Sequence, residues 1–181
     1  NYTIANSQNN WELLNPKPTT QTGIDIEFVS ATVGYIITNY QLLETQDAGA
    51  TWTLKRSLSR TNDITFNGNI GYIVGDSGFV ERSLDGGTTW NTVTTNLTYS
   101  FNTVTIIDAS TIILSSNYRL VKSIDGGITW QSSVIPNTNV EKTFFTSALV
   151  GHVISSANEA KILKTIDGGQ NWYNTLSISS Y

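Results

Sequence analysis

Apolar residues in this chain, never more than three in a row, gather in runs of four or five residues with β-branched and polar ones between them, and Gly, Asn, Asp, Ser and Thr fill the gaps between runs. Runs of that length bounded by turn residues predict short β-strands, and no stretch carries the period of an amphipathic helix. Four successive units each predict four strands. The first unit reads Asp25–Val29, Gly34–Thr38, Leu42–Thr45 and Trp52–Lys55; the second Asp63–Phe66, Gly71–Gly75, Phe79–Ser83 and Trp90–Val93. The third reads Thr103–Ile107, Thr111–Leu114, Leu120–Ser123 and Trp130–Ser133, with Thr111 in place of the glycine that opens the second strand elsewhere. The fourth reads Lys142–Phe145, Gly151–Ile154, Ile162–Thr165 and Trp172–Thr175. Ahead of them, residues 1–14 hold one short strand, Trp11–Leu14, and a loop with two prolines follows.

The units share a box between third and fourth strands. Its clearest copy is Ser83-Leu-Asp85-Gly-Gly87-Thr-Thr-Trp90, matched by Thr45 to Trp52 around Asp47, by Ser123-Ile-Asp125-Gly-Gly127-Ile-Thr-Trp130 and by Thr165-Ile-Asp167-Gly-Gly169-Gln-Asn-Trp172. An eroded copy survives at Ser7–Trp11. All five tryptophans belong to these boxes, spaced 41, 38, 40 and 42 residues apart. A period near 40 marks a propeller or solenoid, in which each repeat buries its core only against its neighbours. Within the box, Asp and the Ser or Thr two residues before it suit the backbone of a tight turn, Gly suits its positive φ, and Trp opens the next strand. A calcium loop needs oxygen ligands at alternate positions and a distal Glu, which no copy offers. The box therefore reads as a structural staple.

These boxes resemble the Asp-box, or bacterial neuraminidase repeat, and Gly71–Trp90 resembles in particular the repeat of photosystem II assembly and stability factor-like proteins. The resemblance implies an all-β fold, a β-propeller of four-stranded antiparallel blades, with the box on the blade periphery away from any ligand. It leaves function open, because sialidases, xyloglucanases, sortilin-type receptors and photosystem assembly factors all carry the box. Four complete blades are expected, near residues 24–56, 62–94, 101–134 and 141–176 of a single domain spanning 1–181. The extra N-terminal strand at 1–14 then belongs to a preceding blade, so the chain reads as an arc of a larger propeller. A compact four-bladed ring with an N-terminal arm is the alternative.

Composition narrows the functional classes. Ten basic against fourteen acidic residues, with no Lys/Arg run, argue against nucleic acid and anionic membrane as partners. Cysteine is absent, and there is no His cluster or Gly-rich phosphate loop before a helix. No metal or cofactor is expected, and no segment is long and apolar enough for membrane insertion. Low charge with abundant Thr, Asn and Ser points to a secreted or cell-surface protein.

By analogy with other propellers, ligands meet the loops joining fourth to first and second to third strands. Those loops carry Asn39, Tyr40, Arg60, Asp76, Tyr99, Asn117, Tyr118, Arg119 and Asn158. Tyr40, Arg60, Asp76, Tyr99, Tyr118 and Arg119 are the candidate binding residues, suited to a protein or glycan. Asp25 and Asp63 occupy one position in adjacent units, each followed by Ile-x-Phe, and present the only candidate catalytic pair. Carboxylates from neighbouring blades could stand at the separation of an inverting glycosidase, although Thr103 and Lys142 fill that position in the other units. A sialidase is disfavoured: Arg56, Arg60, Arg82 and Arg119 are its only arginines and no Arg-Ile-Pro start exists. The photosystem factor's arginine-rich patch also has no counterpart, and His152 sits within an apolar strand. The reading is a non-enzymatic interaction scaffold. A glycoside hydrolase or its remnant, and an assembly factor recognising a polypeptide, are the alternatives.

Overall fold

The computed structural model describes residues 18–136, 138–156 and 160–178. The strand expected at Trp11–Leu14 and the candidate Asn158 lie outside them. The described strands form four antiparallel sheets, each a meander in chain order. Blade 1 holds β1 (Gly23–Phe28), β2 (Gly34–Thr38), β3 (Gln41–Thr45) and β4 (Thr53–Ser57). Blade 2 holds β5 (Thr61–Asn67), β6 (Ile70–Gly75), β7 (Val80–Ser83) and β8 (Asn91–Thr92). In blade 3 are β9 (Thr103–Ile106), β10 (Ile112–Ser116), β11 (Arg119–Ser123) and β12 (Gln131–Val134). In blade 4 are β13 (Val140–Phe145), β14 (Gly151–Ser155), β15 (Ala160–Thr165) and β16 (Tyr173–Ile178).

First strands line the inside of the arrangement: β1 packs on β5, β5 on β9 and β9 on β13. No comparable packing joins β13 to β1 among the described residues, so the propeller blades form an open arc. A bulge precedes the axial position in β1, β5 and β13 and turns the strand there.

Where successive blades meet, the facing sheets are apolar. Tyr35, Ile37 and Leu42 of blade 1 pack on Ile64 and Ile73 of blade 2. Tyr72, Val74 and Val80 of blade 2 meet Phe101, Val104, Ile112 and Leu114 of blade 3. Ile113, Leu120 and Ile135 of blade 3 meet Val140, Phe145 and Val153 of blade 4. Each such side chain contributes about 1.5–3 kcal/mol by leaving water. The two ends of the arc keep the same chemistry exposed: Ile26 and Leu54 on blade 1, Phe144 and Ile154 on blade 4, all about half-exposed or more.

Two details depart from the sequence pattern. The pattern starts strand four on the tryptophan, but its ladder begins one residue later, at Thr53, Asn91, Gln131 and Tyr173. Those tryptophans are half-buried rather than interior, and their rings meet an inner-strand phenylalanine edge-on in Phe28–Trp52, Phe66–Trp90 and Phe145–Trp172. The glycine position is also shifted. Phe28, Phe66 and Phe145 lie over Gly34, Gly71 and Gly151, their paired residues in the second strand. In blade 3 that pair is Ile106 with Ile112, so Ile112 and not Thr111 takes the glycine's place.

Candidate functional site

Asp25, Asp63, Thr103 and Lys142 stand at one register position of the four inner strands, paired with Ile37, Val74, Ser115 and Ile154. Each aspartate reaches the next blade. Asp25 Oδ2 accepts from the Ile64 N–H at 3.2 Å, and Asp63 Oδ2 from the Val104 N–H at 2.7 Å. Thr103 continues the series with its hydroxyl, 2.7 Å from Thr143 Oγ1 and 2.6 Å from Ser115 Oγ. These side chains are straps between blades, which a carboxylate serves well because it accepts strongly from backbone N–H groups.

Asp63 is buried, and burial lifts its carboxyl from the ordinary value to about 7. A side-chain hydrogen bond with Asp25 and the charge of Asp25 push the same way; the Val104 N–H and the Lys142 ammonium oppose them. Burial and Asp25 also raise Glu27. Each carboxylate is thus engaged by a backbone N–H of the neighbouring blade, a role between blades that involves no reacting group.

The candidate loop residues line one edge, stitched by backbone bonds that cross from loop to loop. Tyr40, in the β2–β3 turn, accepts from Leu58 N at 2.7 Å; Arg60, before β5, accepts from Asp76 N at 2.9 Å. Asp76 opens a single 3-10 turn, Asp76–Gly78, and Gly78 N donates to Tyr99 O at 2.7 Å. Tyr118, in the β10–β11 turn, accepts from Ile135 N at 2.8 Å. Arg119 is the first residue of β11 rather than a loop residue. The edge brings Tyr99, Tyr118 and Arg119 together, the guanidinium lying 5.0 Å from the Tyr99 ring centroid and 5.5 Å from that of Tyr118. Tyr40 and Tyr118 are half-exposed. Arg60 is exposed at φ 40, and no side-chain contact joins it to the tyrosine cluster.

Asn62 and Asn102 complete this edge. Asn62 Nδ2 donates to Asp76 Oδ1 (3.1 Å) and Phe101 O (3.0 Å); Asn102 Nδ2 donates to Asn117 Oδ1 (2.9 Å) and Val140 O (3.1 Å). Their signal in the sequence is an asparagine directly before the axial position in two consecutive units.

The boxes lie on the other turns, between third and fourth strands. Ser83 Oγ donates to Asp85 Oδ1 and accepts from Gly87 N, both at 2.8 Å. Asp85 accepts from Thr89 N (2.8 Å) and Thr89 Oγ1 (2.6 Å). The set recurs at Thr45–Asp47–Thr51, Ser123–Asp125–Thr129 and Thr165–Asp167–Asn171. Hydrogen bonds from the Thr side chain and then the backbone hold Asp47, Asp85 and Asp125 at about 2; in Asp167 the Asn171 backbone leads. Trp90, Trp130 and Trp172 donate Nε1–H to the carbonyls of Gly87, Gly127 and Gly169 at 3.0–3.2 Å. The box carboxylates are saturated by their own turns. Among the described residues no three His, Cys, Asp or Glu side chains converge as metal ligands.

Known proteins carry the same design. A curated relative, photosystem II assembly lipoprotein Ycf48 of Synechococcus sp. (strain CC9902), is 33% identical over 122 residues. That match covers 61% of this chain and 36% of the relative, so the chain spans little more than a third of the relative's length. The solved structure of YCF48 from Cyanidioschyzon merolae superposes with a TM-score of 0.71 at 19% identity, over 91% of this chain and 59% of that one. YCF48 bound to D1 peptide gives 0.59 at 19% identity, over 87% and 81%. At that identity these two structures bear on the fold. The family described as photosynthesis system II assembly factor YCF48 matches residues 3–110, which run through the first two blades into the third. With more than half of its length matched, the chain belongs to the YCF48 family.

Proposed function

We propose that this chain serves in an assembly factor, holding a segment of a partner polypeptide against the loop edge that carries Tyr40, Asp76, Tyr99, Tyr118 and Arg119. The observation that carries the reading is that edge: half-exposed tyrosines and a guanidinium over two rings, on loops fixed by backbone bonds. Rigid aromatic and arginine side chains are the residues that dominate protein recognition. Family membership supports the same direction, since one structure of the family is of YCF48 bound to D1 peptide. A glycan-binding or secreted scaffold has no comparable support. Against the glycosidase alternative stands the use of both carboxylates as acceptors for backbone N–H groups of the next blade.

The relative's description as a lipoprotein favours work at a membrane surface, where a client chain would be met as it is assembled. Among the described residues no helix is long and apolar enough to cross a membrane. Titration with a fluorescent D1 peptide tests the reading. Saturable binding that a Tyr40→Ala, Tyr118→Ala double variant loses is expected. Saturable binding of a xyloglucan oligosaccharide with none of the peptide would overturn it.

A further inference from the structure

Arg119 is held in a way that leaves its charge unanswered. The guanidinium lies over the rings of Tyr99 and Tyr118, and its one hydrogen bond, Nη1 to Ser132 Oγ, is long at 3.5 Å. Nε is shielded from water without an acceptor. Ion pairs among the described residues join Lys55 to Glu44 and Arg56 to Glu81, and none reaches Arg119. Its neighbours supply aromatic faces, a hydroxyl and no anion. A partly desolvated guanidinium without an anion is a costly arrangement, and it is relieved by a carboxylate, whose two oxygens match the planar N–H fork. The two rings confine the guanidinium before anything binds, which lowers the ordering cost of recognition.

We infer that the Tyr99–Arg119–Tyr118 cluster is a carboxylate-recognition site, taking a chain-terminal or an Asp/Glu side-chain carboxylate of the bound polypeptide. This rests on the polypeptide-binding reading above and names the group recognised. The tyrosine rings flank the site. Tyr118, half-exposed, offers its outer surface to the residue beside that carboxylate.

The test is an NMR titration of the isotope-labelled chain with three short probes: acetyl-tri-alanine as free acid, the same peptide as C-terminal amide, and acetyl-Ala-Glu-Ala amide. Saturable shifts of the Arg119 guanidinium and the Tyr99 and Tyr118 rings with a carboxylate-bearing probe, and none with the tri-alanine amide, are expected. A response to the free acid alone identifies a terminal carboxylate; a response to the glutamate probe identifies a side-chain one. Arg119→Gln should abolish the shifts of both tyrosine rings, and Arg119→Lys, which keeps the charge but loses the fork, should weaken binding about tenfold. An unchanged amide spectrum establishes that each variant folds. Equal response to all three probes, or silence at Arg119 throughout, would overturn the inference. Silence at Arg119 while the D1 peptide still binds rejects this site and leaves polypeptide binding intact. A carboxylate response without D1 peptide binding does the reverse.

Discussion

The Tyr35 hydroxyl of blade 1 donates to the carbonyl of Gly86, in the box of blade 2, at 2.8 Å. Tyr72 repeats the contact one blade on, reaching Gly126 O at 3.2 Å. The box thus staples its own turn and also receives the preceding blade. Its second glycine is where the two come closest.

A Cβ on Gly87 would lie 2.5 Å from the Tyr35 ring, at a φ of 87°. Gly87→Ala therefore combines overpacking with left-handed strain and is expected to cost about 3 kcal/mol. Gly68→Ala is the control, since its positive φ is similar but nothing lies within 4 Å of the added atom; about 1 kcal/mol is expected there. Tyr35→Phe, losing only the hydroxyl bond, should cost about 1 kcal/mol. Urea unfolding midpoints of the three variants check the order.

Asp63 makes stability fall as pH rises. Its carboxyl is raised to about 7 in the folded chain, so the folded state binds the proton more tightly than the unfolded one. The resulting stabilisation is complete below the unfolded carboxylate value near 4 and is lost as pH climbs through 7. Asp25 and Lys142 are the charged groups that act on it, the first raising and the second lowering its value. Thermal midpoints should be higher at pH 5 than at pH 8. Asp63→Asn, which keeps an acceptor for the Val104 N–H and a donor for Asp25, should flatten that slope; an unchanged slope would place the titrating group elsewhere.

The strands, the repeat and the box were legible because each recurs: a feature copied four times rises above the ambiguity of any single run. The shared face of Tyr99, Tyr118 and Arg119 followed from strand order alone, since alternate turns of a meander lie at the same end. The approach of both rings to one guanidinium did not follow, because it depends on the path of the irregular segment that carries Tyr99. The Asp25–Asp63 pair was visible as a repeat position, but its bonds to the next blade were not. A sequence places two carboxylates on adjacent strands but does not show whether they face open space or the next backbone. Here the bulges at Gly23–Asp25 and Thr61–Asp63 accompany carboxylates that turn into the blade interface.

Blades 1 and 2 are further joined by an ion pair between Arg56 in β4 and Glu81 in β7. Glu81 is almost buried, while Arg56 keeps a third of its side chain exposed. Glu81→Gln strands a partly covered guanidinium whose Nε already lacks an acceptor, and a loss of about 2 kcal/mol is expected after allowing for solvent at Arg56. Joint replacement of both residues by methionine should recover most of it, because the volume is kept and no charge is left unpaired. A double-mutant cycle in guanidinium-free denaturant measures the coupling.

The boxes set the acid limit of the fold. Asp47, Asp85, Asp125 and Asp167 are held at about 2 by donors of their own turns, so they stay ionised when folded at pH values where the unfolded chain takes up protons. Their stabilisation is present above the unfolded value near 4 and is lost as pH falls toward 2. This is the opposite sign to Asp63, so stability should peak on the acid side of neutrality and decline both ways. Asp85→Asn separates charge from geometry. The amide oxygen still accepts from Thr89 N, and the Thr89 hydroxyl, which donates to Oδ2 in the wild type, can turn to accept from the amide N–H, so the charge goes while the turn keeps its contacts. The last box varies the donor instead, for there Asn171 replaces the threonine and gives its Nδ2–H to Asp167 Oδ2 at 2.8 Å. Thr89→Asn should therefore be tolerated in wild-type chain, and Asp85→Asn should lower the thermal midpoint while shallowing its fall between pH 4 and pH 2. A steeper acid transition in that variant would mean that the box carboxylate does not carry this part of the pH dependence.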